Sequence, residues 1–339
     1  MVGKKLKKIS KGLILALASV LVLASCSSGG DKEASSTQDA VKTIGIVQSA
    51  PHPALDAANQ GFIKALEEKG YKDGEKIKIV SKNAQGDVAN NDQITKKFAS
   101  DKVDLILAIA TQSAQASVNA TKDIPILITA VTDPVEAKLV SSLEKPSGNV
   151  TGTSDRAPIK TQLEMVKKLK ADAKKVGFIY NAGEANSVVQ LKEAQKVCKN
   201  LGLELVEQTI TSTNDVVQAM DSICKKVDVL YVPTDNTAVQ AGPTIGKKGI
   251  EHKIPVISAE GSVVENGGLL SEGIDYTSLG YKTGLMAADI LDGKSKPADM
   301  PIQLAEKFTL TINKDTLSKI GLQLPKELEE KATFIGGEK

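Results

Sequence analysis

The residues best suited to chemistry stand in short polar clusters, each directly after an apolar run. Thr111-Gln112-Ser113 follows Leu105–Ala110 and opens a helical pattern. The first amides of a helix have no intrahelical acceptor, and with the neighbouring hydroxyls they suit an anion such as a carboxylate. Asp235 holds the matching place after Asp228–Thr234. A carboxylate there suits an ammonium group, and one charge on each side would let a zwitterion bridge the two. The plain alternative for both clusters is an ordinary helix cap. The remaining candidate ligand-binding residues are Gln48, His52, Leu55, Thr132, Asp133, Asn181, Asn186, Ser187, Asn236, Glu260 and Asp275, with Glu184 a further acid. His52 sits between Pro51 and Pro53 in a stiff loop, where it is expected to line a ligand side chain. Arg156, the chain's single arginine, is expected to pin a hinge by a salt bridge, with a ligand contact the alternative.

These residues do not assemble a catalytic set. There is no Gly-x-Ser-x-Gly elbow, no His-Glu-x-x-His and no phosphate-binding glycine loop. With 2 histidines far apart in sequence, a metal site is not expected, nor is a cofactor. Acids opposite hydroxyls read as a binding site, and we expect no enzyme.

The elements that must position these residues repeat. Apolar runs at Thr43–Gln48, Ile77–Ser81, Leu105–Ala110 and Ile126–Val131 alternate with helical patterns at 54–69, 88–100 and 112–120. That alternation predicts a parallel sheet covered on both faces. The order then returns: Val176–Tyr180 echoes Ile44–Val47, Asp228–Thr234 echoes Asp104–Thr111, and Ile254–Ala259 echoes Ile124–Ala130. The offsets, 44 to 176, 104 to 228 and 124 to 254, are nearly constant. We therefore expect an α/β fold of two doubly wound parallel-sheet lobes joined by about three crossover segments. The expected first lobe spans 42–152 plus 277–302, the second 153–276 plus 303–339. The first connection is placed at Asn149–Asp155. Tyr276–Leu291 reads as a helix that packs back on the first lobe, and Gln303–Asn313 as one further strand of the second. Ligands of such sheets sit beyond the carboxyl ends of the strands, where the polar clusters fall.

The 339 residues carry a net charge of +2, much of the positive side lying near the N-terminus, so nucleic acid is not an expected partner. Residues 4–8 are Lys-Lys-Leu-Lys-Lys, followed by an apolar run from Leu13 to Leu23 and then Leu23-Ala24-Ser25-Cys26. The run is shorter than the roughly 20 residues that span a bilayer. It reads as an export signal over 1–25, and its end resembles the lipobox of bacterial lipoproteins, which implies a lipid on Cys26. Residues 26–41 are small and polar, a flexible tether. Cys198 and Cys224 fall on the apolar faces of successive helices, expected on opposite sides of one sheet as free buried thiols, with a disulfide of an exported chain the alternative.

With these features together, the chain resembles a family of ABC transporter substrate-binding lipoproteins that includes tryptophan- and tyrosine-binding members. The likeness covers about 42–335. It rests on Ile109–Gln115, Thr132-Asp133-Pro134-Val135, Asn149-Val150-Thr151-Gly152, Tyr231–Thr237 and the Leu279-Gly280 to Gly284 segment. The resemblance implies the type I periplasmic-binding-protein fold and capture of a free aromatic amino acid (tyrosine, tryptophan or phenylalanine). It also implies delivery to a membrane permease driven by an ATPase, from a membrane-anchored monomer outside the cytoplasm. A purine or sugar is the alternative ligand, although the lack of tryptophan counts against a sugar. A surface adhesin is the alternative role.

Overall fold

A computed structural model describes residues 41–337; the signal, Cys26 and nearly all of the tether lie outside the described residues. In chain order the strands are β1 (Lys42–Gln48), β2 (Ile77–Asn83), β3 (Leu105–Ile109), β4 (Ile126–Val131), β5 (Val150–Ser154), β6 (Lys175–Asn181), β7 (Glu204–Ile210), β8 (Val229–Val232), β9 (Val256–Ser258), β10 (Leu270–Ile274), β11 (Gln303–Leu304), β12 (Phe308–Asn313) and β13 (Thr333–Ile335). The α-helices are α1 (Pro53–Glu68), α2 (Val88–Ser100), α3 (Thr111–Ala120), α4 (Ile159–Leu169), α5 (Ala185–Asn200), α6 (Val216–Ile223), α7 (Asn236–Gln240), α8 (Gly242–Glu251), α9 (Gly261–Glu265), α10 (Tyr276–Leu291), α11 (Lys314–Ile320) and α12 (Lys326–Lys331).

The strands form two sheets, β2-β1-β3-β4-β5-β11 and β7-β6-β8-β9-β10-β12-β13. The first five positions have the same order in both, so the sequence repeat is a repeat of topology. β1 answers to β6, β3 to β8 and β4 to β9. Pairing is parallel except for β12, which runs antiparallel to β10. Central strands are continuous apolar runs because helices cover both faces: every residue of β3 is buried. β2 lies at an edge and is more open, with exposed Lys78, Ser81 and Lys82.

Apolar clusters fill both faces of each sheet. Leu55, Phe62 and Leu107 belong to one cluster of the first lobe, Phe98, Ile106 and Ile128 to the other. In the second lobe Cys198 lies in the cluster around Phe178 and Tyr231, and Cys224 in that around Met220 and Leu230. Both cysteines are free and buried on opposite faces. Helix α10 packs along α1 and against β4 and β5. Glycines allow the approach: a Cβ on Gly280 would lie 1.9 Å from the Ala58 carbonyl oxygen, and one on Gly61 2.1 Å from that of Thr277.

Two expected boundaries move. Residues 149–155 are not simply a connection, because Val150–Ser154 forms β5 and pairs with β4. The Thr-Gly-Thr-Ser composition hides a strand whose residues are all buried. Residues 303–313 are two strands rather than one: Gln303 and Leu304 pair with Thr153 and Ser154 in the first sheet, and only Phe308–Asn313 enters the second. The chain thus passes between lobes after Ser154, near Asp275 and between Leu304 and Phe308.

Candidate functional site

In a sheet of this order the ligand crevice opens where the strand order reverses. The reversals fall between β1 and β3 and between β6 and β8. The loops leaving these strands carry Ser49–His52, Thr111, Asn181–Glu184 and Thr234–Asn236. The two edges meet. His52 Nε2 lies 3.2 Å from Asn236 Oδ1, and the hydroxyls of Thr132 and Thr234 lie 3.1 Å apart. At the surface Arg156 reaches Asp133 of the first lobe and Glu193 of the second, 3.5 Å from each. The lobes are closed on one another.

On the second-lobe edge the acids are spoken for. Asp235 is the N-cap of α7: its Oδ1 accepts from Ala238 N–H, and its Oδ2 accepts from Asn181 N–H and the Ser187 hydroxyl at 2.6 Å each. Glu184 accepts from the backbone N–H groups of Asn236 and Thr237, from Asn236 Nδ2 and from the Thr237 hydroxyl. Asn181 also donates to the Thr237 hydroxyl, and Asn186 to the Thr234 carbonyl, leaving Asn186 Oδ1 buried without a partner. The cap reading of Asp235 therefore describes its geometry, with both oxygens already bonded within its own lobe.

The first-lobe edge is less saturated. Ser113 is turned inward: its N–H donates to Ser49 Oγ, and its hydroxyl donates to Asn91 Oδ1 at 2.6 Å. Gln48 is held by the Ala50 carbonyl and Asp56. Thr111 begins α3 after Ala110, whose φ of 76° is rare for a residue with a side chain. Thr111 Oγ1 and His52 Nδ1 are buried and have no protein partner.

Between the lobes lies a cluster of which the strand-end reading supplies only Glu260. Asp155 follows β5, and its Oδ2 accepts the Tyr276 hydroxyl at 2.8 Å. Tyr276 opens α10 and also reaches Glu260 Oε1 at 3.4 Å. Asp155 Oδ1 is buried and unpartnered. Burial raises the Asp155 carboxyl above its ordinary range, against hydrogen bonding from Tyr276 and then Thr132. Burial and then the Asp155 charge push Glu260 up to about 8. Burial and then the Glu184 charge push Asp235 up to about 7. Among the described residues, no lysine or arginine offsets these shifts, and no side-chain cation stands beside these acids in the closed cleft.

Other expected residues lie elsewhere. Leu55 packs in the first-lobe core rather than lining the cleft, because α1 turns that face to the sheet. Asp275 is exposed and caps α10 through Ser278 N–H. Gln112 and Gly183 share a groove of about 450 Å³ at the lobe boundary. Asp133 is held by Val135 N–H, Glu136 N–H and Arg156. Asp155 was legible as a strand-end acid once β5 is recognised, and Tyr276 as the residue after a capping Asp.

Known proteins resemble this chain in sequence and overall fold. A "Tyrosine-binding protein" of Clostridioides difficile is 49% identical over 324 residues, 94% of each chain. An ABC domain from Streptococcus pneumoniae, solved in complex with L-Trp, has 36% identity and a TM-score of 0.83, covering 87% of this chain and 99% of that one. A substrate-binding protein with adhesive properties from Clostridium difficile, in its ligand-free open form, has 48% identity but a TM-score of only 0.67, over 88% and 100%. Sequence and shape similarity run in opposite order, as they do when like lobes take different mutual positions. The model of the family described as ABC transporter substrate binding protein matches residues 43–335. With that match spanning both lobes and the cleft, the chain belongs to the ABC transporter substrate-binding protein family.

Proposed function

We propose that the chain captures a free amino acid, with an aromatic side chain, in the closed cleft. The observation that carries this reading is the pair of unpartnered buried atoms on one sheet edge, Thr111 Oγ1 after β3 and Asp155 Oδ1 after β5. One offers a hydroxyl beside the positive end of a ten-residue helix, the other a carboxylate oxygen. β4 separates the strands, so their ends stand ~10 Å apart. An α-carboxylate and α-ammonium fit that span with a hydrogen bond of roughly 2.8 Å at each end. The ammonium supplies the cation that Asp155 and Glu260 lack. The aromatic side chain is carried over from the tyrosine- and tryptophan-binding relatives.

Closure follows from the layout. Asp155 and Tyr276 stand where the chain changes lobes, and Glu260 belongs to the second. An ammonium held among them contacts the closed state better than the open one, the condition for a ligand to drive closure. A micromolar dissociation constant corresponds to about 8 kcal/mol, within reach of two desolvated charges, several hydrogen bonds and an apolar side chain after ordering costs. Function lies outside the cytoplasm, with Cys26 as the lipid anchor beside a permease and its ATPase. Calorimetry of ligand-stripped protein against the common amino acids tests the reading. Binding of an aromatic amino acid at micromolar or tighter affinity is expected, and no binding to any of them rejects it. An adhesive role is a second reading, favoured by the likeness to the Clostridium difficile protein. Equal surface attachment of cells with and without the chain would reject it.

A further inference from the structure

We propose that His52 sets the choice of ligand: its Nδ1 accepts a hydrogen bond from a hydroxyl or N–H on the ligand's aromatic ring, so that tyrosine or tryptophan is taken and phenylalanine refused. This rests on the amino-acid reading above and adds to it the residue that discriminates.

The argument starts at Glu184. A carboxylate only accepts, and Glu184 Oε2 lies 2.6 Å from Asn236 Nδ2 and 2.9 Å from Asn236 N. The amide NH₂ of Asn236 therefore faces Glu184, and its Oδ1 faces His52. That oxygen also only accepts, so His52 Nε2, 3.2 Å away, carries the hydrogen. Burial lowers the imidazole pKa below its ordinary value, which favours the neutral ring. Nδ1 is then a bare lone pair. It is buried with no protein partner on a residue only 4% exposed, at the strand-order reversal of the first lobe and against the second.

A buried acceptor without a donor is destabilising, and a ligand that supplies the donor removes that cost. The ammonium is the wrong donor on geometry. His52 follows β1 and Asp155 follows β5, with β3 and β4 between them, a separation of ~14 Å at ordinary strand spacing. One ammonium cannot serve both, whereas a long side chain extends from one toward the other. Sites built to bond a ring substituent discriminate strongly against the analogue lacking it.

The experiment compares tyrosine, tryptophan and phenylalanine by calorimetry on the intact chain and on His52→Phe. The wild type is expected to favour tyrosine or tryptophan over phenylalanine by on the order of 10- to 100-fold. In His52→Phe that ratio should fall to about twofold, through lost affinity for the donor-bearing ligand. Equal wild-type affinities, or a ratio unchanged in the variant, overturn the inference while leaving amino-acid capture standing. No binding of any of the three by the wild type overturns both. Nitrogen-15 NMR of the wild type decides the matter should the variant not fold; with 2 histidines in the chain the spectrum is simple. The expected result is a protonated Nε2 throughout and an Nδ1 resonance that moves toward the hydrogen-bonded value with tyrosine but not with phenylalanine. A proton on Nδ1, or equal movement with phenylalanine, rejects the assignment.

Discussion

The two cleft edges have the same strand order yet use their polar residues in opposite ways. On the second-lobe edge, Asp235 and Glu184 are bonded at every oxygen to helix N-termini, hydroxyls and amides of the same lobe. On the first-lobe edge and at the first crossing, Thr111, His52 and Asp155 each keep one buried atom unpartnered. The second-lobe acids are satisfied within their own lobe, with only the Asn186 amide oxygen left over, whereas the first lobe and its hinge keep a hydroxyl, an imidazole nitrogen and a carboxylate oxygen open. A carboxylate's type and strand-end position therefore do not set its role; the number of donors its own lobe aims at it does.

The sharpest break of this contrast is Asp155→Ala. It should lower ligand affinity by roughly 100-fold, the scale for removing one side of a buried charge pair. The melting temperature of the ligand-free protein should hold or rise, since an unpaired buried carboxylate is lost. Calorimetry and a thermal melt read the two effects. A variant that binds normally would move the ammonium site elsewhere.

Asp235→Ala should show the reverse balance. It removes a helix cap and orphans the Asn181 N–H and the Ser187 hydroxyl, costing about 2–3 kcal/mol of stability by urea denaturation. Binding should suffer less than in Asp155→Ala. Greater loss of affinity than of stability would return Asp235 to the ligand.

Smaller is the pH effect. Asp155, Asp235 and Glu260 have folded pKa values above those of ordinary carboxyls, so between pH ~4 and 8 the folded state binds more protons than the unfolded one. Their stabilising contribution is full below about pH 4 and is lost as pH rises toward 8. Ligand-free melting temperature should fall across that window, and Glu260→Gln should flatten the fall. Affinity should rise over the same range, because an ammonium prefers ionised carboxylates. A flat melting profile would place these acids in water.

Least should come from Arg156→Ala. Its two contacts are long, and its side chain is half exposed. Affinity should change by less than about threefold, as exposed ion pairs contribute ~0–1 kcal/mol. A larger change would make that surface link part of closure.

Most of the architecture was legible because buried parallel strands must be apolar and their exits polar: β1, β3 and β4 stand where such runs end at Gln48, Ile109 and Val131. β5 was not, since Thr, Gly and Ser line a strand whose hydroxyls are satisfied locally, as Thr153 is by Thr129 and Thr283. The candidate site was half legible. Thr111, His52 and Glu260 are expected from strand-end position, and the fold places all three, buried, after β3, β1 and β9. Asp155 does not stand out, because Thr-Gly-Thr-Ser has the composition of a connection, and Leu55 misleads because a helix start beside a cleft still has an inward face. Asp235 could not be resolved at all from sequence, as its bonding depends on Asn181 and Ser187, which only folding brings within reach.

The two thiols have a practical consequence. Cys198 and Cys224 are sealed in separate cores, and burial pushes each up to about 11. At neutral pH both should be nearly silent toward maleimide dyes. A chain begun after Cys26 would then take a fluorophore only at a cysteine placed by choice. Gln112, across the rim groove from Gly183, is such a place. One substitution there would turn lobe closure into an optical signal, with no native residue to remove first.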